Sequence, residues 1–304
     1  MPAPVQRKSR RDGARGAEQR SRARLSLQST VCAILPHHKC EEWLDECLQS
    51  LIQQTRPLDA IAVIDDALGD PPLEITSRYP QVTLLKAIST TKVGPYRLSQ
   101  QVIYDTVYDA YLFQDADDWS SPDRLERLLT GAERTGAELI GSQELRVLVR
   151  EGEAVPFTYP LDANAALREV PTSFPLLHPT SMVARSLFTR VGGFATGMRF
   201  GGDSEFLRRA GHAATLANVP DFCYFRRIRA GSLTTAASTG MASPERRELI
   251  ATLHQRARDN VARVEAGEAP DLAPMSTAPP IELRHLSGPE LNAPTRASNR
   301  RGSR

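Results

Sequence analysis

The sequence predicts an α/β fold in which a mostly parallel sheet is flanked by helices. Three observations carry that expectation. Short continuous apolar runs at Val31–Leu35, Ile61–Ile64, Val82–Leu85 and Ala110–Phe113 have the length of strands buried on both faces. Amphipathic stretches alternate with them, and strand–helix alternation winds into a right-handed parallel sheet. Two acidic groups, Asp65-Asp66 and Asp115-Ala116-Asp117-Asp118, follow runs directly. That is the carboxyl edge, where such sheets bind ligands.

Taken in order, Val31–Leu35 is the first strand. Trp43/Leu44, Cys47/Leu48 and Leu51/Ile52 then recur every four residues, an amphipathic helix that must end before Pro57. Ile61–Ile64 is the second strand, stopped by Asp65-Asp66, and Val82–Leu85 the third. Leu98, Val102, Ile103 and Val107 predict a helix leading into the strand Ala110–Phe113. Ser121 suits an N-cap, Pro122 the first helical position, and Leu125, Leu128 and Leu129 the buried stripe of the next helix. Beyond residue 140 the alternation loosens. Leu145–Val149 alternates like an exposed strand, the segment 155–180 is punctuated by proline, and Arg185–Val191 reads as a helix. The expectation is one domain over 27–262, with a regular half at 27–140 and a more irregular half at 141–262.

Both ends are expected to be disordered. Residues 1–26 form a basic, apolar-poor tail, and the tail 263–304 is interrupted by Pro270, Pro274, Pro279, Pro280, Pro289 and Pro294. At 304 residues, with 40% hydrophobic and 24% charged side chains, the chain can bury a sizeable core. Its net charge of +2 hides an asymmetry. Residues 1–24 hold eight basic and two acidic residues, a net of +6, so the remainder carries −4. The basic excess belongs to the tail, which argues against specific nucleic-acid binding by the domain and allows only weak peripheral membrane contact. No apolar run approaches the roughly 18–20 residues of a membrane span, and the basic start lacks an apolar signal core. Cys32, Cys40, Cys47 and Cys223 show no C-x-x-C spacing, and a reduced, cytoplasmic protein is expected.

Asp65 and Asp66 stand where a carboxylate can accept from a base imide N–H or a ribose hydroxyl. A plain turn, with Gly69 and Pro71 following, is the other reading. Asp115, Asp117 and Asp118 are three acids within four residues and repel one another, which makes sense with a divalent cation, Mn²⁺ or Mg²⁺, that also holds a diphosphate. Asp115 and Asp117 alternate by two and face one side if the strand geometry persists, while Asp118 alternatively caps the turn. In Gly201-Gly202-Asp203-Ser204-Glu205-Phe206, the acids open a helix that buries Phe206, Leu207 and Ala210. The helix dipole explains them structurally, and a general base explains them functionally. His178 reads as a structural residue. Arg226, Arg227 and Arg229, with Ser232 and Thr234, form a basic patch suited to phosphate or to solvent. His37, His38 and Lys39 mark a polar end of the first strand. There is no Walker A loop and no G-x-G-x-x-G.

The order of these segments resembles glycosyltransferase family 2, inverting enzymes of the GT-A fold, over about 30–235. Ile34-Leu35-Pro36, followed by Trp43-Leu44 and Cys47-Leu48-Gln49-Ser50-Leu51 with Gln54-Thr55, is similar to the family's opening strand and helix. Ala62–Asp66 resembles its "VDD" contact, and Gln114–Asp118 with Pro122 and Leu125 its D-x-D-D segment. Val191-Gly192-Gly193-Phe194 with Gly202–Phe206 resembles "VGGF…(E)DxEF", and Arg229–Thr234 resembles "R-x-GSLT". The resemblance implies a metal-dependent inverting transfer of a sugar from a nucleotide-diphosphate donor to an acceptor hydroxyl of a glycan, a lipid-linked sugar or a small molecule. Asp117, with Asp115, would hold the metal, Asp66 or Asp65 the nucleoside, and Asp203 would be the base. By the same analogy Pro36, Gly94 and Arg97 lie near the nucleotide and Arg229 near the diphosphate. Residues 27–140 would take the donor and 141–262 the acceptor. Three departures stand out: Ala67-Leu68-Gly69 in place of a Gly-Ser turn, His37-His38-Lys39 in place of Thr-Tyr-Asn, and Gly202 in place of the acid that often precedes the base. A GT-A-like domain that binds a sugar nucleotide or glycan without catalysis is the alternative.

Overall fold

The computed structural model, which describes residues 24–66, 68–149, 152–229, 235, 240 and 242–292, builds one sheet on the apolar runs. Its regular half comprises β1 (Val31–His37), α1 (Glu41–Ile52), β2 (Ala60–Asp65), α2 (Leu73–Thr76), β3 (Val82–Ala87), α3 (Pro95–Asp105) and β4 (Ala110–Phe113). Within it β3, β2, β1 and β4 lie side by side and are all parallel. Val31 to Leu35 are fully buried, as strands covered by helices on both faces require. Leu44, Cys47, Leu48 and Leu51 are the buried stripe of α1, and each leucine contributes about 2 kcal/mol by leaving water.

The chain continues through β5 (Trp119–Ser120), α4 (Arg124–Thr135), β6 (Leu139–Leu148), β7 (Glu153–Phe157), α5 (Ala163–Glu169), a 3₁₀ turn at His178–Thr180, β8 (Met182–Ala184), α6 (Arg185–Arg190), α7 (Gly202–Ala213), β9 (Leu216–Ile228), α8 (Pro244–Glu265) and β10 (Leu283–Ser287). The full order is β10-β3-β2-β1-β4-β8-β6-β9-β5, with β7 paired to β6. The sheet is therefore mixed rather than mostly parallel. β8 runs antiparallel to β4 and to β6, β5 antiparallel to β9, and only β6 and β9 are parallel to each other in this half. The direction reverses where the strand–helix alternation of the sequence breaks down.

Two further expectations are corrected. The helix expected to start at Pro122 starts at Arg124. The Ser121 N–H instead donates to the Cys223 carbonyl at 3.0 Å, just past the end of β5, and the helix opens two residues later, with the Arg124 N–H on the Ser121 carbonyl. The second correction concerns the proline-rich tail. Residues 263–292 are ordered, because an extended segment needs no helix to satisfy its backbone. Arg97 donates to the carbonyls of Pro279 and Pro280, the Gln101 side chain accepts from Ile281 N–H, and Thr196 bonds Ala278. β10 then pairs antiparallel with β3 and covers the sheet edge. Residues 1–23 and 293–304, which hold the rest of the two expected tails, lie outside the described residues. Leu25 is already in the core. All four cysteines are buried and free, and no described helix is long and apolar enough to cross a membrane.

Candidate active site

β1 is flanked by β2 on one side and β4 on the other, and chain order reverses at this point, which opens a crevice at the carboxyl ends of the strands. Three of the strand ends carry the predicted residues. On β1 and β2, Pro36 pairs in register with Ile64, and His37 with Asp65. The buried His37 shares a 3.3 Å hydrogen bond, through Nδ1, with Asp65 Oδ1. Burial alone would lower the His37 pKa, but Asp65, then Cys40 and Glu41, bring it up to about 9. The Asp65 Oδ2 and His37 Nε2 atoms are buried without a hydrogen-bond partner. Asp66 is engaged differently. Its carboxylate accepts from Val93 N–H at 2.6 Å and Gly94 N–H at 3.1 Å, fixing the start of α3. Gly94 has φ 90°, a conformation that favours glycine.

The acidic turn follows β4. Carboxylate oxygens of Asp115, Asp117 and Asp118 all lie within 4.8 Å of one another. Asp118 is buried, and both its oxygens are used: Tyr224 Oη donates to one at 2.8 Å and Arg227 N–H to the other at 2.7 Å. Burial, then the charges of Asp115 and Asp117, raise its pKa well above the carboxylate range. Asp115 opens toward solvent, yet the surrounding protein and the Asp117 charge push its carboxyl up to about 7. Asp117 pairs with Arg229, whose Nε and Nη2 reach the same oxygen at 2.8 and 2.7 Å. Arg229 also lies over Trp43 at 4.6 Å, and Arg227 over Trp119 at 4.4 Å, so both guanidinium groups rest on aromatic faces. Three crowded carboxylates, of which Asp115 and Asp118 are shifted upward, fit a divalent cation, and a cationic side chain on Asp117 offsets part of the repulsion. Asp115 and Asp117 keep coordinating capacity, whereas Asp118 is committed to the turn.

The third acidic group sits on the first turn of α7. Asp203 Oδ1 accepts from Tyr96 Oη at 3.0 Å. Glu205 has another fate. It is buried and bonded by Arg209 Nε and Arg256 Nη1 at 2.8 Å each and by Met275 N–H at 3.1 Å, a structural knot that ties α7 to α8 and to the extended segment. The His178 and Phe113 rings pack with centroids 4.0 Å apart, tilted by 34°, and burial lowers the His178 pKa to about 4, so it is a neutral packing residue.

Not all predicted residues meet at this crevice. Arg97 is held on the Pro279 and Pro280 carbonyls. Ser232 and Thr234, and most of the Arg229–Thr234 motif, lie outside the described residues, as does Ala67. The most consequential residue absent from the sequence reading is Arg124. It is fully buried and donates to Gln114 Oε1, Ser120 Oγ and the carbonyls of Phe113 and Pro179, at 2.7–2.9 Å. It thereby clamps both ends of the acidic turn, and burial lowers its pKa to about 10. Its signal was an arginine beside the buried Leu125, ten positions after the glutamine that opens the acidic motif. Tyr224, which reaches Asp115 N–H as well as Asp118, and Tyr96 were legible only as aromatic residues.

Comparison with known proteins bears on the family and the fold. The pattern of the family described as "Glycosyl transferase family 2" matches residues 32–187, just over half of the chain. An uncharacterized glycosyltransferase of Haemophilus influenzae is 23% identical over 222 residues, 67% of this chain and 77% of the relative. Among solved structures, S. aureus TarS 1-349 in complex with UDP superposes with a TM-score of 0.58 at 20% identity, covering 75% of this chain and 65% of that one. The same fragment with UDP-GlcNAc gives 0.58 at 21% identity, over 74% and 66%. The chain spans 39% of the longer TarS structure. At these identities the structural likeness concerns the fold.

Proposed function

The chain belongs to glycosyl transferase family 2, and from that premise we propose that it is a metal-dependent, inverting glycosyltransferase, moving a sugar from a nucleotide-diphosphate donor to an acceptor hydroxyl. The single observation that carries this reading is the acidic turn at the switch point of the sheet, with three carboxylate groups within 4.8 Å. Asp115 and Asp117 would hold Mn²⁺ or Mg²⁺, which offsets charge on the leaving diphosphate. Asp65 and Asp66 serve the nucleoside side, Asp65 through a buried oxygen that has no hydrogen bond and only the Lys86 ammonium, at 3.9 Å, beside it, and Asp66 by fixing the loop at Val93 and Gly94. Arg229 is placed to exchange Asp117 for a phosphate oxygen, since a guanidinium suits both. Asp203 takes the proton of the incoming hydroxyl on the face of the sugar opposite the diphosphate, which gives inversion. Four reduced, buried cysteines accord with a cytoplasmic site of action.

The test has two arms. Diphosphates of uridine, guanosine and thymidine, and their sugars, are screened with Mn²⁺ by thermal shift. UDP comes first because the TarS fold neighbour was solved with it. A specific donor raises the melting point by mass action. With that donor, Asp203→Asn is expected to lower transfer by on the order of 10²–10⁴-fold while leaving donor binding intact, the range for loss of a general base. A variant that transfers at the wild-type rate refutes the role given to Asp203.

A further inference from the structure

We infer that Tyr96 is the positioning residue for the acceptor base, and that glycine at 202 is there to make room for its ring. The inference rests on the assignment of Asp203 as base. Tyr96 Oη donates a 3.0 Å hydrogen bond to Asp203 Oδ1. A β-carbon built on Gly202 would lie 2.8 Å from Tyr96 Cδ2 and 3.1 Å from both Cγ and Cε2, so any larger residue at 202 displaces the ring. The ring is held from its other sides by Phe194, with centroids 5.6 Å apart, and His178, at 6.2 Å. Burial, then the charge of Asp203, keep the phenol protonated and therefore a donor at neutral pH. The ionisable neighbours of this pair are Arg208, His178 and Asp115.

The position of Tyr96 is itself set from the nucleotide side. Tyr96 lies in the first turn of α3, two residues after Gly94, and the N–H groups of Val93 and Gly94 are bound by the Asp66 carboxylate. One short path therefore runs from a nucleotide-side carboxylate, through the start of a helix, to the base. A hydroxyl that donates to a carboxylate favours its ionised form and fixes the direction of its free oxygen. The second effect, orientation, is what a general base needs, and it does not require Tyr96 to touch substrate.

The experiment uses the full chain with Tyr96→Phe, which keeps the ring and removes only the hydroxyl. ¹³C-labelled aspartate carboxyls are titrated by NMR, with the Asp203 signal assigned through Asp203→Asn. Nucleotide release from UDP-, GDP- and dTDP-sugars in Mn²⁺, with water as acceptor, is followed alongside. The expected result is an upward move of the Asp203 titration and of the acid limb of the rate profile. Release slows about tenfold, and nucleotide affinity and melting point do not change. Gly202→Ala retains the hydroxyl but displaces the ring, and is expected to slow release similarly. An Asp203 titration and rate unchanged in Tyr96→Phe, with Asp203→Asn inactive, overturn the inference alone. A fully active Asp203→Asn overturns the base assignment, and the inference falls with it.

Discussion

Two groups of acid, at 115–118 and at 205, differ in how their charge is met. Glu205 is enclosed by two arginines and a backbone N–H on Oε1, with Arg209 Nη2 on Oε2, so each oxygen is answered within the protein and the residue is part of the architecture. The acidic turn answers its charge poorly. Asp118 is bonded by Tyr224 and Arg227, but the three carboxylates stay within 4.8 Å of one another, and two of them are raised in pKa by burial and mutual repulsion. A fully paired buried acid is costly to break, because its loss strands its partners. A crowded set of acids costs stability until a cation joins it, and that cost marks a binding site.

The sharpest way to break the contrast is to remove one acid from each group. Asp117→Asn is expected to cut transfer by on the order of 10²–10³-fold, the scale for losing one preorganised electrostatic group, and to abolish the Mn²⁺-dependent donor shift. Its melting point without ligand should stay close to wild type, because relief of repulsion offsets the lost Arg229 pair. Glu205→Gln should do the reverse. Leaving the buried Arg209 guanidinium undercompensated costs about 3–5 kcal/mol, or roughly 10 °C in melting point for a domain of this size. Donor affinity at low temperature should be retained. A large melting loss in Asp117→Asn, or none in Glu205→Gln, would erase the distinction.

The smallest effect is in pH. The Asp115 carboxyl is raised in the folded state from 3.8 to about 7. Between those values the folded chain keeps a proton that the unfolded chain has released. Apo stability therefore falls as pH rises from about 4 through 7, with no further loss from this group above 7. Mn²⁺ binds the ionised form and should flatten or reverse the slope. Melting points measured across that range, with chelator and with Mn²⁺, would expose an apo profile that rises instead.

The regular half of the fold was legible because its signals are local. Val31–Leu35, Ile61–Ile64, Val82–Leu85 and Ala110–Phe113 are dense apolar runs, and all became strands of the parallel part. The acids at 65–66 and 115–118 could be placed at its edge from chain order alone. The mixed half depends on which strands pair over long separations, and short segments such as Met182–Ala184 carry too little pattern to declare a partner. Arg124 and Tyr96 escaped notice for a related reason. Their roles come from atoms brought close by the fold, Gln114 ten positions earlier for one and Asp203 more than a hundred positions later for the other. The prolines after residue 265 exclude a helix but not an ordered path, since β-pairing and side-chain donors serve an extended backbone equally well.

The extended segment gives the molecule an order of manufacture. β3 is synthesised early, but β10, which covers its open edge, lies about 200 residues later, and Thr83 finds its partner, the Pro289 carbonyl, 206 positions on. While the chain is being made, the parallel part of the sheet therefore waits with an unpaired strand exposed, the condition that invites contact with other chains. Completing the enzyme is thus a late, long-range closure in which the last-made part of the domain seals the first.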